Sequence, residues 1–172
     1  SFPNVEKLII KSNVFEISIP NSLFPNVKWV ESENARFKTG SCLIQTGFSI
    51  SNILLNTFCK KPGEAIETDG VLAIKNGAFS GCESTNMTDG INVLFSDDIE
   101  PDSFAGSAFE KQPFVNGVKM VNHIVIDIDQ DADKIILPDT KTQKVMFSQD
   151  VDLGVVKEMV IHNPDSIIAG LR

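Results

Sequence analysis

The chain has 172 residues, a formal charge of -8 and 42% hydrophobic residues, which is enough apolar material to bury one core and too much for a disordered chain. Its apolar set is dominated by Ile, Val, Leu and Phe, with one Trp (Trp29) and no Tyr, a composition that favours strands. Lys and Arg never run beyond two in a row, which excludes phosphate-dominated nucleic-acid binding, and no stretch reaches the ~20 apolar residues of a membrane-spanning helix.

Internal repetition shows from the first residues. Phe2-Pro3-Asn4-Val5 recurs as Phe24-Pro25-Asn26-Val27, 22 residues on. Val5, Leu8, Ile10 and Asn13 fill an LxxLxLxxN frame, and the offset lies within the roughly 20–29 residues of leucine-rich-type repeats. The second copy is worn: Val27 and Val30 fit, Ser32 replaces an aliphatic, and Asn34 falls one residue early. Ile17 to Ile19 is the next apolar run. Residues 38–66 fit the frame poorly and predict an irregular insertion.

Two of the three cysteines, Cys42 and Cys59, lie in that insertion, and the third is Cys82. Three cannot all pair within one chain, and no CxxC or Cys/His cluster has the spacing of a structural zinc site. Three small buried side chains is the plainer reading, because unpaired Cys is among the most buried residue types. A Cys42–Cys59 bridge is the alternative.

A second signature follows. Ile74-Lys-Asn-Gly-Ala-Phe79-Ser-Gly-Cys82 is echoed 25 residues later by Ile99-Glu-Pro-Asp-Ser-Phe104-Ala-Gly-Ser107. In this IxxxxFxG frame the Ile ends an inward rung, the Phe plugs the core beneath the next, and Gly with a small residue permits a tight turn. Further apolar runs lie at Ile53 to Leu55, Val71 to Ile74, Ile91 to Phe95, Ile124 to Ile128, Ile135 to Leu137 and Val145 to Phe147, flanked by Pro, Asn, Asp and Gly. Ile124, Ile126 and Ile128 alternate as half-buried strands do. The segment from Val155 to Ile161, closed by Asn163-Pro164, reads as a last rung. Successive runs are too close for crossover helices, so a parallel ladder of short strands on one face is expected.

Asp127, Asp129, Asp131 and Asp133 occupy every second position. In an extended strand they share a face and would offer hard oxygen ligands to calcium, the one cofactor the sequence raises. They imitate D-x-[DN]-x-[DN]-G-x5-E only in part, since Ala132 replaces the glycine and Pro138 stands where the last carboxylate is needed. A solvated acidic strand or loop is the plainer reading. The same holds for Asp97, Asp98, Glu100 and Asp102, which would meet a basic ligand if their face were the working surface. Trp29 and Phe37 read as core, with an aromatic binding anchor as the alternative. His123 and His162 have no nucleophile in a recognised motif beside them and read as structural or surface residues. GxSxG, the P-loop, HExxH and the dinucleotide-binding glycine fingerprint are absent. A non-enzymatic chain is expected.

Gly77-Ala78-Phe79-Ser80-Gly81-Cys82, Ile17-Ser18-Ile19-Pro20-Asn21-Ser22 and Ile135-Ile136-Leu137-Pro138-Asp139 resemble the leucine-rich repeats of the BspA-like family. Residues 71–107 carry the resemblance well, and residues 2–34 and 115–165 in part. The resemblance implies an α/β-type, strand-rich repeat solenoid with a parallel β-sheet on its concave face. It also implies a secreted or surface-attached microbial protein engaged in adhesion to an extracellular protein or glycan. One domain over 1–172 is expected, right-handed and curved, of about six or seven irregular repeats. No charged n-region and apolar h-region opens the chain, which fits a mature or truncated piece. A terminal repeat with an apolar end would favour a dimer. A structural spacer and a β-solenoid carbohydrate-active enzyme are the competing readings. The spacer predicts a featureless polar face; the enzyme predicts clustered carboxylates.

Overall fold

Strands of two to five residues, most of them rich in Ile, Val or Leu, are too short to bury both faces alone, so each coil of chain must lay its strand on the next. The computed structural model, which describes residues 1–20, 22–47, 51–141 and 143–162, is a strand-rich solenoid of stacked coils. Its strands are β1 (Lys7–Ile10), β2 (Trp29–Ser32), β3 (Leu43–Thr46), β4 (Asn52–Asn56), β5 (Val71–Ile74), β6 (Val118–Val121), β7 (Ile124–Ile128), β8 (Lys134–Ile136), β9 (Met146–Phe147) and β10 (Glu158–Val160). Among the described residues, helix is confined to α1 (Ala108–Lys111) and one 3-10 turn at Ser96–Asp98. No helix there is long and apolar enough to cross a membrane.

Parallel pairing joins β1 to β2, β4 to β5, β7 to β9 and β8 to β10, with single bridges Ile66 to Met87 and Ile74 to Ile99. The shortest step, Asn52 to Val71, is 19 residues, and the longest, Ile74 to Ile99, is 25. The expected single parallel ladder needs correction, however. β3–β4 and β6–β7 are antiparallel hairpins, and the strands fall into four small sheets among the described residues. The first hairpin occupies the stretch that fits the repeat frame poorly. The second arises because Asn122, at a φ of +52°, turns the chain back within two residues of β6. Ile17–Ile19 and Ile91–Phe95 are not strands: the Ile91 amide donates to the Asn122 side chain at 3.1 Å instead of to a ladder carbonyl.

The IxxxxFxG frame stacks on itself. Ile74 bridges Ile99, and the Phe79 ring lies on Phe104 with centroids 4.8 Å apart, while Phe109 meets Phe79 edge-on at 5.6 Å. The two frame glycines take the same left-handed turn, Gly81 at a φ of +71° and Gly106 at +72°, a conformation that other residues adopt at a cost.

Side chains brace coil to coil. Asn26 donates to Pro3 O at 2.8 Å, Asn76 to Pro101 O at 2.8 Å and Asn34 to Val14 O at 2.5 Å, satisfying turn carbonyls that no ladder reaches. Lys7–Glu31, Lys11–Glu33, Lys28–Glu6, Lys75–Glu100, Lys134–Glu158 and Lys157–Asp133 each pair residues of adjacent coils. These pairs are exposed and add little stability, but they match charge to the stacking register. The apolar interior runs along the stack as three clusters, around Val30 and Phe37, around Phe79 and Ile74, and around Val125 and Phe147. In the first coil Val5, Leu8, Val14, Ile17 and Ile19 are only half-buried.

Candidate functional site

A cleft of about 170 Å³ opens where two turns meet α1 and β7, and four carboxylates line it: Asp102, Glu110, Asp127 and Asp150. Asp102 sits in the turn after the Ile99 bridge, at a φ of +58°, where Asp is among the better tolerated non-glycine residues. Its amide donates to Asp150 Oδ2 at 2.6 Å, tying this turn to the one that follows β9. Its carbonyl accepts from the Gly77 amide at 3.1 Å, which holds it on the coil below.

Glu110 is placed by local sequence. Ser107-Ala-Phe-Glu110 is an S-x-x-E helix start: Ser107 Oγ accepts from the Glu110 amide at 3.3 Å, and Glu110 Oε2 accepts from the Gly106 amide at 2.6 Å. Asp127 lies on β7, where its Oδ1 accepts from the Ile128 amide at 2.9 Å and its Oδ2 is 3.3 Å from Lys119 Nζ. Lys119 is itself held over the Phe114 ring at 4.4 Å and donates to Glu110 O at 2.6 Å. Ser148, 4% exposed, lines the same cleft, and its hydroxyl has no hydrogen-bond partner among the described residues. Phe104 and Ile126 supply apolar wall. The arrangement offers several oxygen acceptors in one recess, with Lys119 the cation bound at its rim.

The four alternate aspartates do not share a face. Only Asp127 belongs to β7, which ends at Ile128. Asp129 Oδ1 accepts from the Asp131 amide at 3.0 Å in a turn, and Asp133 pairs with Lys157 at 3.0 Å on the next coil. The period of two depends on an extended backbone, and the turn breaks it. Among the described residues no three His, Cys, Asp or Glu side chains converge closely enough to hold a metal ion.

The other acidic group is also divided. Asp102 enters the cleft, Asp97 Oδ1 accepts from Gln149 at 3.4 Å, and Glu100 pairs with Lys75. Burial pushes the Asp98 carboxyl above its ordinary range. Burial pushes Glu100 the same way, but hydrogen bonds from Lys75 and the Asn76 amide, with the Lys75 charge, outweigh it and hold Glu100 low. The signs therefore oppose. Glu100 stabilises the fold above its ordinary pKa, and that contribution is lost as pH falls through its depressed one. Asp98 weakens the fold above its raised pKa and is relieved as pH falls. Glu100→Gln is expected to lower the melting temperature at pH 7 and Asp98→Asn to raise it, each through a stability change of less than about 1 kcal/mol because both groups meet solvent. Both differences should shrink toward zero near about pH 2. Thermal melts at the two pH values check this, and shifts of the same sign would refute it.

Phe37 is core, at 3% exposed, but Trp29 points outward from β2 and is 45% exposed, so the core reading of Trp29 is corrected. Its neighbours across the register, Lys7 and Ile9, share that outward face. His123 is buried and its Nε2 donates to Val93 O at 3.2 Å, whereas His162 is exposed. Neither lines the carboxylate cleft. The Cys42–Cys59 bridge does not form: Cys59 Sγ donates to Ser80 O at 3.6 Å, and Cys42 Sγ lies 4.0 Å from Ser41 Oγ. Burial pushes the Cys42 thiol up to about 11 and raises Cys59 and Cys82 as well, so none is an activated nucleophile at neutral pH.

Glu110, Ser148 and Asp150 escape sequence reasoning. The S-x-x-E spacing was a readable signal for Glu110; Ser148 and Asp150 simply trail an apolar run. No family model, curated protein or solved structure matches the chain.

Proposed function

We propose that the chain is a non-enzymatic recognition module of a microbial cell-surface or secreted protein, which binds an extracellular protein or glycan through its solenoid surface. The carrying observation is the carboxylate-lined cleft, into which no histidine, cysteine or lysine projects to serve as base or nucleophile among the described residues. The repeat type is assigned as leucine-rich and BspA-like. The stacked Phe79 and Phe104 frames and the 22- and 25-residue echoes of the sequence support that assignment. The half-buried aliphatics of the first coil are a surface that a terminal dimer would cover.

The test is binding of the purified chain to an array of extracellular-matrix proteins, host glycans and microbial polysaccharides, with and without calcium. Saturable binding to one ligand is the expected result. Binding that requires calcium and is lost when Asp127, Asp129, Asp131 and Asp133 are all changed to Asn would revive metal-assisted recognition. No binding anywhere would favour the spacer. The enzyme reading draws on one specific observation, the gathering of carboxylates, because glycoside hydrolysis uses a pair of them. Release of reducing ends from a polysaccharide on the array, abolished by Asp102→Asn or Asp150→Asn, would establish it in place of recognition.

A further inference from the structure

We infer that a second recess, lined by His123, is a pocket for one phenolic ring, that of a tyrosine side chain on a polypeptide partner, an assignment that rests on the recognition reading. The recess measures about 270 Å³ and shares no residue with the carboxylate cleft. Asn92, Val93 and Leu94 form one part of its wall, Gln143, Lys144 and Met146 another, and His123 comes from the turn between β6 and β7. That turn holds the Ile91–Phe95 segment in place, since Asn122 accepts from the Ile91 amide and His123 donates to Val93 O. Ile91 and Val93 thereby face the core, and Leu94 and Phe95 are left standing in solvent.

His123 is the independent sign of a ligand. Its side chain is 5% exposed, and its Nδ1 is buried with no hydrogen-bond partner among the described residues. Val93 O only accepts, so Nε2 carries the proton it donates at 3.2 Å, and in the neutral ring Nδ1 is left as a lone-pair acceptor. A buried acceptor without a donor costs free energy until one reaches it. Leu94 and Lys144 are exposed, and the ligand reaches Nδ1 by turning them aside, a rotamer change of the kind common at interfaces.

A phenol answers both halves of this site. One donor is missing at Nδ1, and a phenol brings one hydroxyl. Val93, Leu94 and Met146 give apolar wall for a flat ring, and a thioether sulfur is a favourable neighbour of an aromatic edge. The exposed Lys144 adds a cation for the ring face. A sugar ring would bring several hydroxyls to a wall with one open acceptor, and a serine would leave the apolar wall unfilled. At about 270 Å³ the recess falls just short of the roughly 300 Å³ at which small-molecule pockets begin, a size suited to one side chain. Tyrosine is a frequent anchor of protein interfaces, and because these 172 residues include no Tyr, the occupant is not a second copy of them.

The experiment is an NMR titration of the whole chain, read at the backbone amides and at the imidazole nitrogens, with three end-blocked tripeptides, Ala-Tyr-Ala, Ala-Phe-Ala and Ala-Ser-Ala, and separately with methyl hexosides. Phenylalanine keeps the ring and removes the hydroxyl, and serine does the reverse. The tyrosine peptide is expected to bind saturably and to perturb residues 92–95, 123 and 143–146. The His123 Nδ1 resonance should move with it and stay near its free position with the phenylalanine peptide, while His162, exposed and outside the recess, serves as the internal control. The phenylalanine peptide should bind about fivefold more weakly, the worth of one neutral hydrogen bond, and the serine peptide should not saturate. His123→Gln keeps a donor for Val93 O and removes Nδ1, so the preference for tyrosine over phenylalanine should vanish. Leu94→Ala changes an exposed side chain, so the fold should stand while both aromatic peptides weaken alike by a few-fold. That variant and the Nδ1 resonance keep the test decisive should His123→Gln fail to fold.

Equal binding of the tyrosine and phenylalanine peptides, an Nδ1 resonance that stays still at saturation, or perturbations centred away from the recess would overturn the inference. So would a methyl hexoside that saturates the recess where the tyrosine peptide does not. If the chain binds a ligand on the array yet no tyrosine peptide perturbs the recess, recognition stands and only the tyrosine pocket falls. If it binds neither, both fall together.

Discussion

Phe79→Ala is expected to destabilise the fold by about 3–5 kcal/mol, the largest loss from any single truncation considered for this protein. Phe79 is fully buried, stacks on Phe104 and receives the edge of Phe109, so its removal opens a hole between two coils and leaves those two rings only their contact with each other, edge-on at 6.0 Å. The surroundings cannot collapse to fill it. Ile74 is pinned in a bridge to Ile99 and the Phe79 amide donates to Ser103 O at 3.0 Å, so the backbone on both sides is held by the stack. Urea denaturation of wild type and variant measures the loss. Because coils in a solenoid are stabilised by their neighbours, hydrogen exchange should show protection falling most in β5 and α1. Protection in β1 and β2, whose side chains belong to the separate cluster around Val30, should change least. A loss under 1 kcal/mol, or an equal loss of protection along the whole chain, would contradict this account.

Gly117→Ala is expected to cost about 2–4 kcal/mol for two separable reasons. Gly117 has a φ of +81°, where a Cβ is penalised whatever surrounds it. That Cβ would also stand 2.9 Å from Ile135 Cγ2 and 3.2 Å from the Lys134 carbonyl, and the carbonyl is backbone that cannot swing aside. Gly63 supplies the control, with a φ of +84° and nothing within 4 Å of the added atom. Gly63→Ala should therefore cost only the backbone part, about 1–2 kcal/mol. Paired melts of the two variants isolate the clash, and equal losses would show that the approach of β8 to the β6 turn is loose.

The stacking was legible because it is written in repetition. A core that recurs every coil needs the same apolar residue at the same step, which is why the 22-residue echo of Phe2-Pro3-Asn4-Val5 ends in a stacked Phe2–Phe24 pair. The 25-residue echo of Ile74 and Phe79 likewise ends in the Ile99 bridge and the Phe104 stack. Strand β7 runs from Ile124 to Ile128 as expected, but its burial does not alternate, since Val125 is buried beside Ile124 and Ile126 is only half-buried. Ile91–Phe95 misled because apolar content alone does not choose a ladder. Leu94 and Phe95 end up 61% and 67% exposed, and only Ile91 and Val93 face the core. The antiparallel hairpins were hidden for a related reason, since a left-handed Asn122 reverses the chain without any turn motif that separates it from the other asparagines.

By itself, then, the sequence determined that short strand-forming coils pile into one stack, because burial of aliphatic and aromatic side chains depends on a period that one dimension can record. Only the tertiary structure decided which charges meet. Asp127 looked like a partner of Asp129, Asp131 and Asp133, yet it faces Asp102, Glu110 and Asp150, and the Asp102 amide reaches Asp150 across 48 residues of chain. Carboxylates on a solvated surface need no period to be tolerated, so their sequence spacing carries no trace of the turns that bring them together.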